Sequence, residues 1–200
     1  MLYPHLWGMD TDTLEFYETN AEAYAAESLT HDVLDIRGRF IARLPKGARI
    51  LDLGCGSGRD SFAFSRLGFE TVPADGSENM CREAERYTGL PVRHVRFSEL
   101  DYREEFDGVW ACASLLHVPS AELPIVLNMV RQALRTGGIF FCCFKEGTFE
   151  GERDRRYYTD MTSVRLKEML ENCGFSVIDQ WENTAFETGT RWVNAVSRRL

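Results

Sequence analysis

Apolar residues recur along this chain in two rhythms, and the switches between them predict its elements. Over residues 1–44 the rhythm is helical. Leu14, Tyr17, Ala21, Tyr24 and Ala25 share one face, and Val33, Ile36, Phe40, Ile41 and Leu44 repeat the spacing. Pro45 and the Lys46-Gly47 pair end this part in a turn. From Arg49 onward, short apolar runs alternate with helical stretches. Strands are expected at 49–53, 70–73, 91–95, 108–114, 139–144, 176–181 and 192–197, and helices at 60–67, 78–87, 120–134 and 163–172. Gly68 suits a helix C-cap and Ser120 an N-cap, with Pro124 in the tolerated first turn. Arg131 and Arg135 complement the C-terminal dipole of that helix, and Gly137-Gly138 should stop it.

Strands alternating with helices imply an α/β fold: a mainly parallel sheet of seven strands with helices on both faces. The final two strands have no helix between them, so they can form an antiparallel hairpin at the sheet edge. No repeat, low-complexity tract or linker interrupts the pattern. One domain over 1–200 is expected, with a helical cap at 1–44 and an α/β core at 45–200.

Composition narrows the setting. Apolar residues are 44% and charged residues 27%, as a packed globular chain requires. No uncharged apolar run reaches the ~18 residues of a membrane span. Residues 1–12 carry neither a basic leader nor a cleavage-site pattern, so export is not expected. The six cysteines, Cys55, Cys81, Cys112, Cys142, Cys143 and Cys173, form no C-x-x-C pair and read as buried, reduced thiols of a cytoplasmic protein. A formal charge of −8 weighs against a nucleic-acid partner, and the basic groups Arg153, Arg155, Arg156 and Arg198, Arg199 make no stripe. Neither metal-ligand spacing nor a G-x-S-x-G elbow occurs.

The sharpest chemical signal is Asp52-Leu53-Gly54-Cys55-Gly56-Ser57-Gly58, between a strand and a helix. Glycines there let the backbone turn and approach a ligand. Asp75 follows at the end of the second strand, where a carboxylate can accept both ribose hydroxyls. A dinucleotide fingerprint would place its third glycine at Arg59, yet that glycine comes one residue early, at Gly58. Asp52 would repel a pyrophosphate and hold an ammonium. S-adenosylmethionine offers an ammonium, a carboxylate, a sulfonium and a ribose without phosphate, and fits these groups better. Arg59 either pairs with the methionyl carboxylate or caps the helix surface.

In motifs and spacing the chain resembles the class I S-adenosylmethionine-dependent methyltransferases, whose fold is Rossmann-like. Leu-Asp-Leu-Gly-Cys-Gly-Ser-Gly at 51–58 is similar to their first motif, and Ala-Asp-Gly-Ser-Glu-Asn-Met at 74–80 to their second-strand motif. Phe-Asp-Gly-Val-Trp at 106–110 and Leu-Arg-Thr-Gly-Gly at 134–138 resemble the approaches to their fourth and fifth strands. The resemblance implies that Asp75 holds the ribose, with Cys55, Gly76 and Ala113 also at the cofactor. It implies an adenine near Phe97, Ser98, Glu99 and Leu100. Met80 either packs on the ring or belongs to the core. The runs at 110–119 and 144–147 resemble the tellurite-resistance-type subgroup.

Methyl transfer is an in-line displacement that needs a base only when the acceptor must lose a proton. His117, after the fourth strand, either serves as that base or orients a loop. Tyr17 and Tyr24 lie on one helix face, and the resemblance implies a lid there; core packing is the other reading. Residues 145–159 read as a polar, basic loop whose Arg156 and Tyr157 could recognise an anionic or aromatic acceptor. Trp181, Arg191, Trp192 and Asn194 read as packing residues. The function implied is methyl transfer to a small molecule. Alternatives are an acceptor that is protein or RNA, and a non-catalytic protein that binds the cofactor.

Overall fold

A computed structural model describes residues 10–31, 33–185 and 188–200. Most of the leader-free start expected at 1–12 lies outside these. Two helices open the described chain, α1 (Asp10–Ser28) and α2 (Leu34–Ile41). The alternating core follows as β1 (Arg49–Leu53), α3 (Arg59–Arg66), β2 (Glu70–Asp75), α4 (Glu78–Thr88), β3 (Arg93–His94) and β4 (Phe106–Ala111). It continues as α5 (Leu123–Ala133), β5 (Leu134–Lys145), β6 (Glu150–Arg153), β7 (Arg156–Thr159), α6 (Ser163–Asn172), β8 (Phe175–Thr184) and β9 (Arg191–Arg199).

Seven strands form one sheet in the order β3-β2-β1-β4-β5-β9-β8. The first five run parallel, while β9 is antiparallel to both β5 and β8. The expected C-terminal hairpin is therefore present, with β9 inserted beside β5 and β8 at the edge. This is a Rossmann-like sheet with an antiparallel C-terminal end. No helix among the described residues is long and apolar enough to cross a membrane.

Strands buried on both faces explain the unbroken apolar runs. Along β1, β4 and β5 successive side chains leave in opposite directions. Leu51, Val109 and Phe140 join α5 and α6 through Val126, Val130, Leu166 and Leu170. Ile50, Trp110 and Phe141 join α2 and α3 through Phe40 and Phe64. Trp110 is the centre of that second core, stacked on Phe141 at 4.1 Å between ring centroids and flanked by Phe40 and Phe64.

Three expectations fail locally. Ser120 does not cap α5, which starts at Leu123 behind Glu122. The Ser120 backbone N–H and hydroxyl both donate to the Glu150 carboxylate instead. That helix ends at Ala133, before the glycine pair, because Leu134 is already extended and paired with Phe106. Gly138 lies inside β5, where an added Cβ would meet the Arg135 carbonyl at 2.8 Å. Finally, 145–159 is no loop. It holds the β6–β7 hairpin, whose tip residues Asp154 and Arg155 both have positive φ, as a two-residue primed turn requires.

Phe141→Ala should cost about 3–5 kcal/mol by loss of buried area and creation of a cavity. Val164→Ala on the exposed face of α6 should stay within about 0.5 kcal/mol. Urea unfolding of both variants measures the difference.

Candidate active site

A cleft of about 910 Å³ opens at the carboxyl ends of β1, β2, β4 and β5, with α1 as one wall. This is where open α/β sheets leave a crevice, because neighbouring crossovers depart to opposite faces. Gly54, Gly56, Asp75, Met80, Phe97 and Ala113 line one half, and Tyr17, His117, Lys145, Arg156, Tyr158 and Trp192 the other.

The glycine loop divides its duties. At Gly54 (φ +72°) a Cβ would sit 2.4 Å from Ser114 Cβ, so this glycine serves the join between β1 and β4. The Ser114 hydroxyl completes that join by donating to the Leu53 carbonyl at 2.7 Å. At Gly58 (φ +78°) a Cβ would meet Thr88 of α4 at 2.6 Å. Only Gly56 faces open space, its nearest neighbour being Met80 Cε at 3.9 Å. Its N–H donates to Asp75 Oδ2 and that of Ser77 to Oδ1, both at 2.9 Å. Two backbone donors thus aim the Asp75 carboxylate. Burial pushes its pKa up, against the pull of those N–H groups.

Buried carboxylates crowd the start of α3. Asp60 accepts from Trp110 Nε1 at 3.0 Å and forms ion pairs with Arg37 and Arg59. Its pKa is held down by both guanidiniums despite burial. Asp52, 2% exposed, accepts from the Ser61 hydroxyl at 2.6 Å. Burial and the neighbouring Asp60 push its pKa up to about 7. Arg59, clamped by Asp60, also donates to the Ser28 carbonyl. A pyrophosphate, which needs bare N–H groups at this helix start, would meet acidic side chains instead.

Helix α1 is latched over the cleft. The Glu18 carboxylate accepts from the Glu78 and Asn79 N–H groups at the start of α4. Asn79 Nδ2 donates to the Glu18 carbonyl, and the Ser28 hydroxyl to Ser57 Oγ at 2.7 Å. Tyr17 and Tyr24 meet edge to face at 5.0 Å, over Met80. His117 Nδ1 lies 2.7 Å from the Tyr157 carbonyl and must carry the proton. Nε2 therefore accepts from the Tyr17 hydroxyl, at 2.9 Å. Burial lowers the His117 pKa to about 4, so the ring is neutral at pH 7. At Ala113 the backbone takes φ +52°, a strained value for a residue with a Cβ, and its N–H meets Cys143 Sγ.

Of the residues expected from sequence, Tyr17, Tyr24, Asp52, Gly54, Cys55, Gly56, Arg59, Asp75, Gly76, Met80, Ala113, His117 and Arg156 all line the cleft. Ser98, Glu99, Leu100 and Tyr157 are not among its lining residues. The short 3-10 turn at Phe97–Glu99 presents Phe97 and Arg96 to the cleft and sends Leu100 into the core. Glu99 accepts from the Arg96 N–H, and the Tyr157 hydroxyl donates to Glu150. Trp181, Trp192 and Asn194, read as packing, also line the cleft, whereas Arg191 does not and pairs with Glu146 and with Glu182 at its edge. Sequence reasoning missed Lys145, although its place at the carboxyl end of a central strand was a usable signal. It also missed Arg37 and Glu18, for which the sequence held no signal.

Residues 50–138 match a family model described as a methyltransferase domain. The matched segment holds Asp52, Gly56, Asp75 and His117, while Tyr17, Lys145, Arg156 and Trp192 lie outside it. A ubiquinone biosynthesis O-methyltransferase of Ruegeria is 34% identical over 111 residues, which are 48% of this chain and 40% of that protein. The chain thus spans about two fifths of the length of such relatives. Among solved structures, the Burkholderia thailandensis 1,6-didemethyltoxoflavin-N1-methyltransferase, with 1,6-didemethyltoxoflavin and S-adenosylhomocysteine bound, gives a TM-score of 0.83 at 22% identity. That match covers 100% of this chain and 91% of the other. The cyclase SpnF shares the fold too, with a TM-score of 0.67 at 19% identity over 82% of this chain and 80% of its own. The fold therefore carries more than one chemistry.

Asp52 has a folded pKa above its unfolded 3.8, so its favourable contribution to stability is full below that value and lost as pH rises towards 7. Asp52→Asn should therefore gain on the native chain between pH 4 and 7 and level off above. Urea midpoints at pH 4, 5.5 and 8 check the sign.

Proposed function

We propose that this chain is an S-adenosylmethionine-dependent methyltransferase whose acceptor is a small molecule. The observation that carries the reading is the Asp75 carboxylate, aimed by two backbone N–H groups beside the open Gly56. Asp52 and Asp60 lie at the neighbouring helix start, Asp60 paired with Arg37 and Arg59. These residues fit a cationic nucleoside: Asp75 for the ribose hydroxyls, Met80 and Phe97 for the base, and Asp52 with the Gly54–Gly56 backbone for the amino-acid end. Arg59, held at the wall by Asp60, suits a carboxylate. When bound, the cofactor supplies a methyl group on a sulfonium.

The chain's own residues orient the acceptor and keep water out. Tyr17 and Tyr24 close the cleft from α1, and the strained turn at Ala113 and the fixed His117 shape its floor. His117 is a positioning group here, because both ring nitrogens are engaged and the ring stays neutral near pH 7. A small acceptor is supported by the α1 latch, which narrows the approach, and by the likeness over the whole chain to an enzyme with 1,6-didemethyltoxoflavin bound. The runs at 110–119 and 144–147 support the finer likeness to tellurite-resistance-type enzymes. Six free thiols suit a reducing, cytoplasmic setting.

Calorimetry should give micromolar binding of S-adenosylmethionine, weakened at least about tenfold in Asp75→Ala by loss of charge-assisted hydrogen bonds. NAD binding of equal or greater strength would overturn the reading. Labelled-methyl transfer into a metabolite extract, compared with protein and RNA pools, tests the acceptor class.

A further inference from the structure

Among the described residues, five Lys and Arg side chains line the cleft: Arg39, Arg59, Arg96, Lys145 and Arg156. Asp179 pairs with Arg39 and Asp60 with Arg59. Arg96 lies beside Gly76, in the half assigned to the nucleoside. Lys145 and Arg156 differ from these. Both face the acceptor half, and neither has a carboxylate within ion-pair distance among the described residues. They converge on one ring: Lys145 Nζ is 4.0 Å and the Arg156 guanidinium 5.5 Å from the centre of Tyr158. A third cation on that ring, Arg153, is already neutralised by Asp160.

The charge on Arg156 disfavours that on Lys145. Arg156 is further fixed against Phe16 at 4.4 Å, and its buried Nε has no hydrogen-bond partner. Burial, then Arg153 and Arg156, lower the Lys145 pKa, while Asp160 and Asp154 pull the other way. Two half-buried cations and one buried, unpartnered N–H leave a place for an anion from outside the chain. The walls are aromatic, from Tyr17, Tyr158 and Trp192, so the complement is a flat organic acid.

We propose that the acceptor is an organic anion, a planar carboxylate or ionised enol or phenol, whose negative oxygens are held between Lys145 and Arg156. This deepens the methyltransferase reading and rests on it for the word acceptor. An acceptor that arrives ionised has no proton to lose at that group. That matches a site whose histidine is spent on Tyr17 and the Tyr157 carbonyl.

Fluorine NMR of para-fluorobenzoate and para-fluorobenzamide with the full chain tests the charge directly, the two differing mainly in ionisation. The benzoate should bind about tenfold more tightly, as one charge-assisted contact implies. Lys145→Gln and Arg156→Gln should each erase that preference, and Lys145→Arg should retain it. Lys145→Gln is the safer variant, since Arg156 also packs on α1, and thermal unfolding of each variant shows whether the fold is kept. Equal binding of the amide, or a preference unchanged in the folded variants, would overturn the proposal. Calorimetry with S-adenosylhomocysteine on the same samples reads the donor half separately. If that nucleoside fails to bind while the charge preference stands, the cofactor reading falls and the anion site remains.

Discussion

One buried carboxylate ties this molecule together. Asp60 sits in the first turn of α3 and receives the indole N–H of Trp110, itself the centre of an aromatic core. Two guanidiniums neutralise it, Arg37 from α2 and Arg59 from α3. A charge this deep is tolerable only while every partner is present, since removing one side of such a pair costs about 3–5 kcal/mol. The helical N-terminal part, the sheet and the cleft wall are therefore coupled through four side chains. Arg59 carries the coupling onward to the Ser28 carbonyl at the end of α1.

The cleft inherits two electrostatic halves from this arrangement. Near β1 and β2 its fixed charges are carboxylates, held by backbone N–H groups or by a hydroxyl, and suited to cationic and hydroxylated ligands. Near β5 and β7 its fixed charges are cations with aromatic neighbours. Helix α1 spans both halves, because Glu18 fastens it to α4 while Tyr17 reaches His117. A ligand on either side would press on the same helix, so closure over one half bears on the other.

The glycine loop shows how one motif can serve several masters. Gly54 exists for Ser114 and Gly58 for Thr88; only Gly56 is left bare toward the cleft. The third glycine, early for a dinucleotide fingerprint, is explained by the close approach of α4 to α3. The spacing argument and the contact argument agree for different reasons.

The order of strands and helices was legible in the chain because apolar period is a local property, set by which face each side chain must bury. The same holds for the placing of Asp52, Gly56 and Asp75, whose positions at strand ends bring them to the cleft. The β6–β7 hairpin was not legible, since Asp154 and Arg155 make an unusual pair for a primed turn. Nor was the start of α5, where Ser120 was drawn away by Glu150 from a distant strand. Whether Lys145 and Arg156 would be neutralised, and which nitrogen of His117 would carry the proton, depended on partners far apart in the chain. Charge compensation and hydrogen-bond pairing are properties of neighbours in space, and only the folded chain decides who they are.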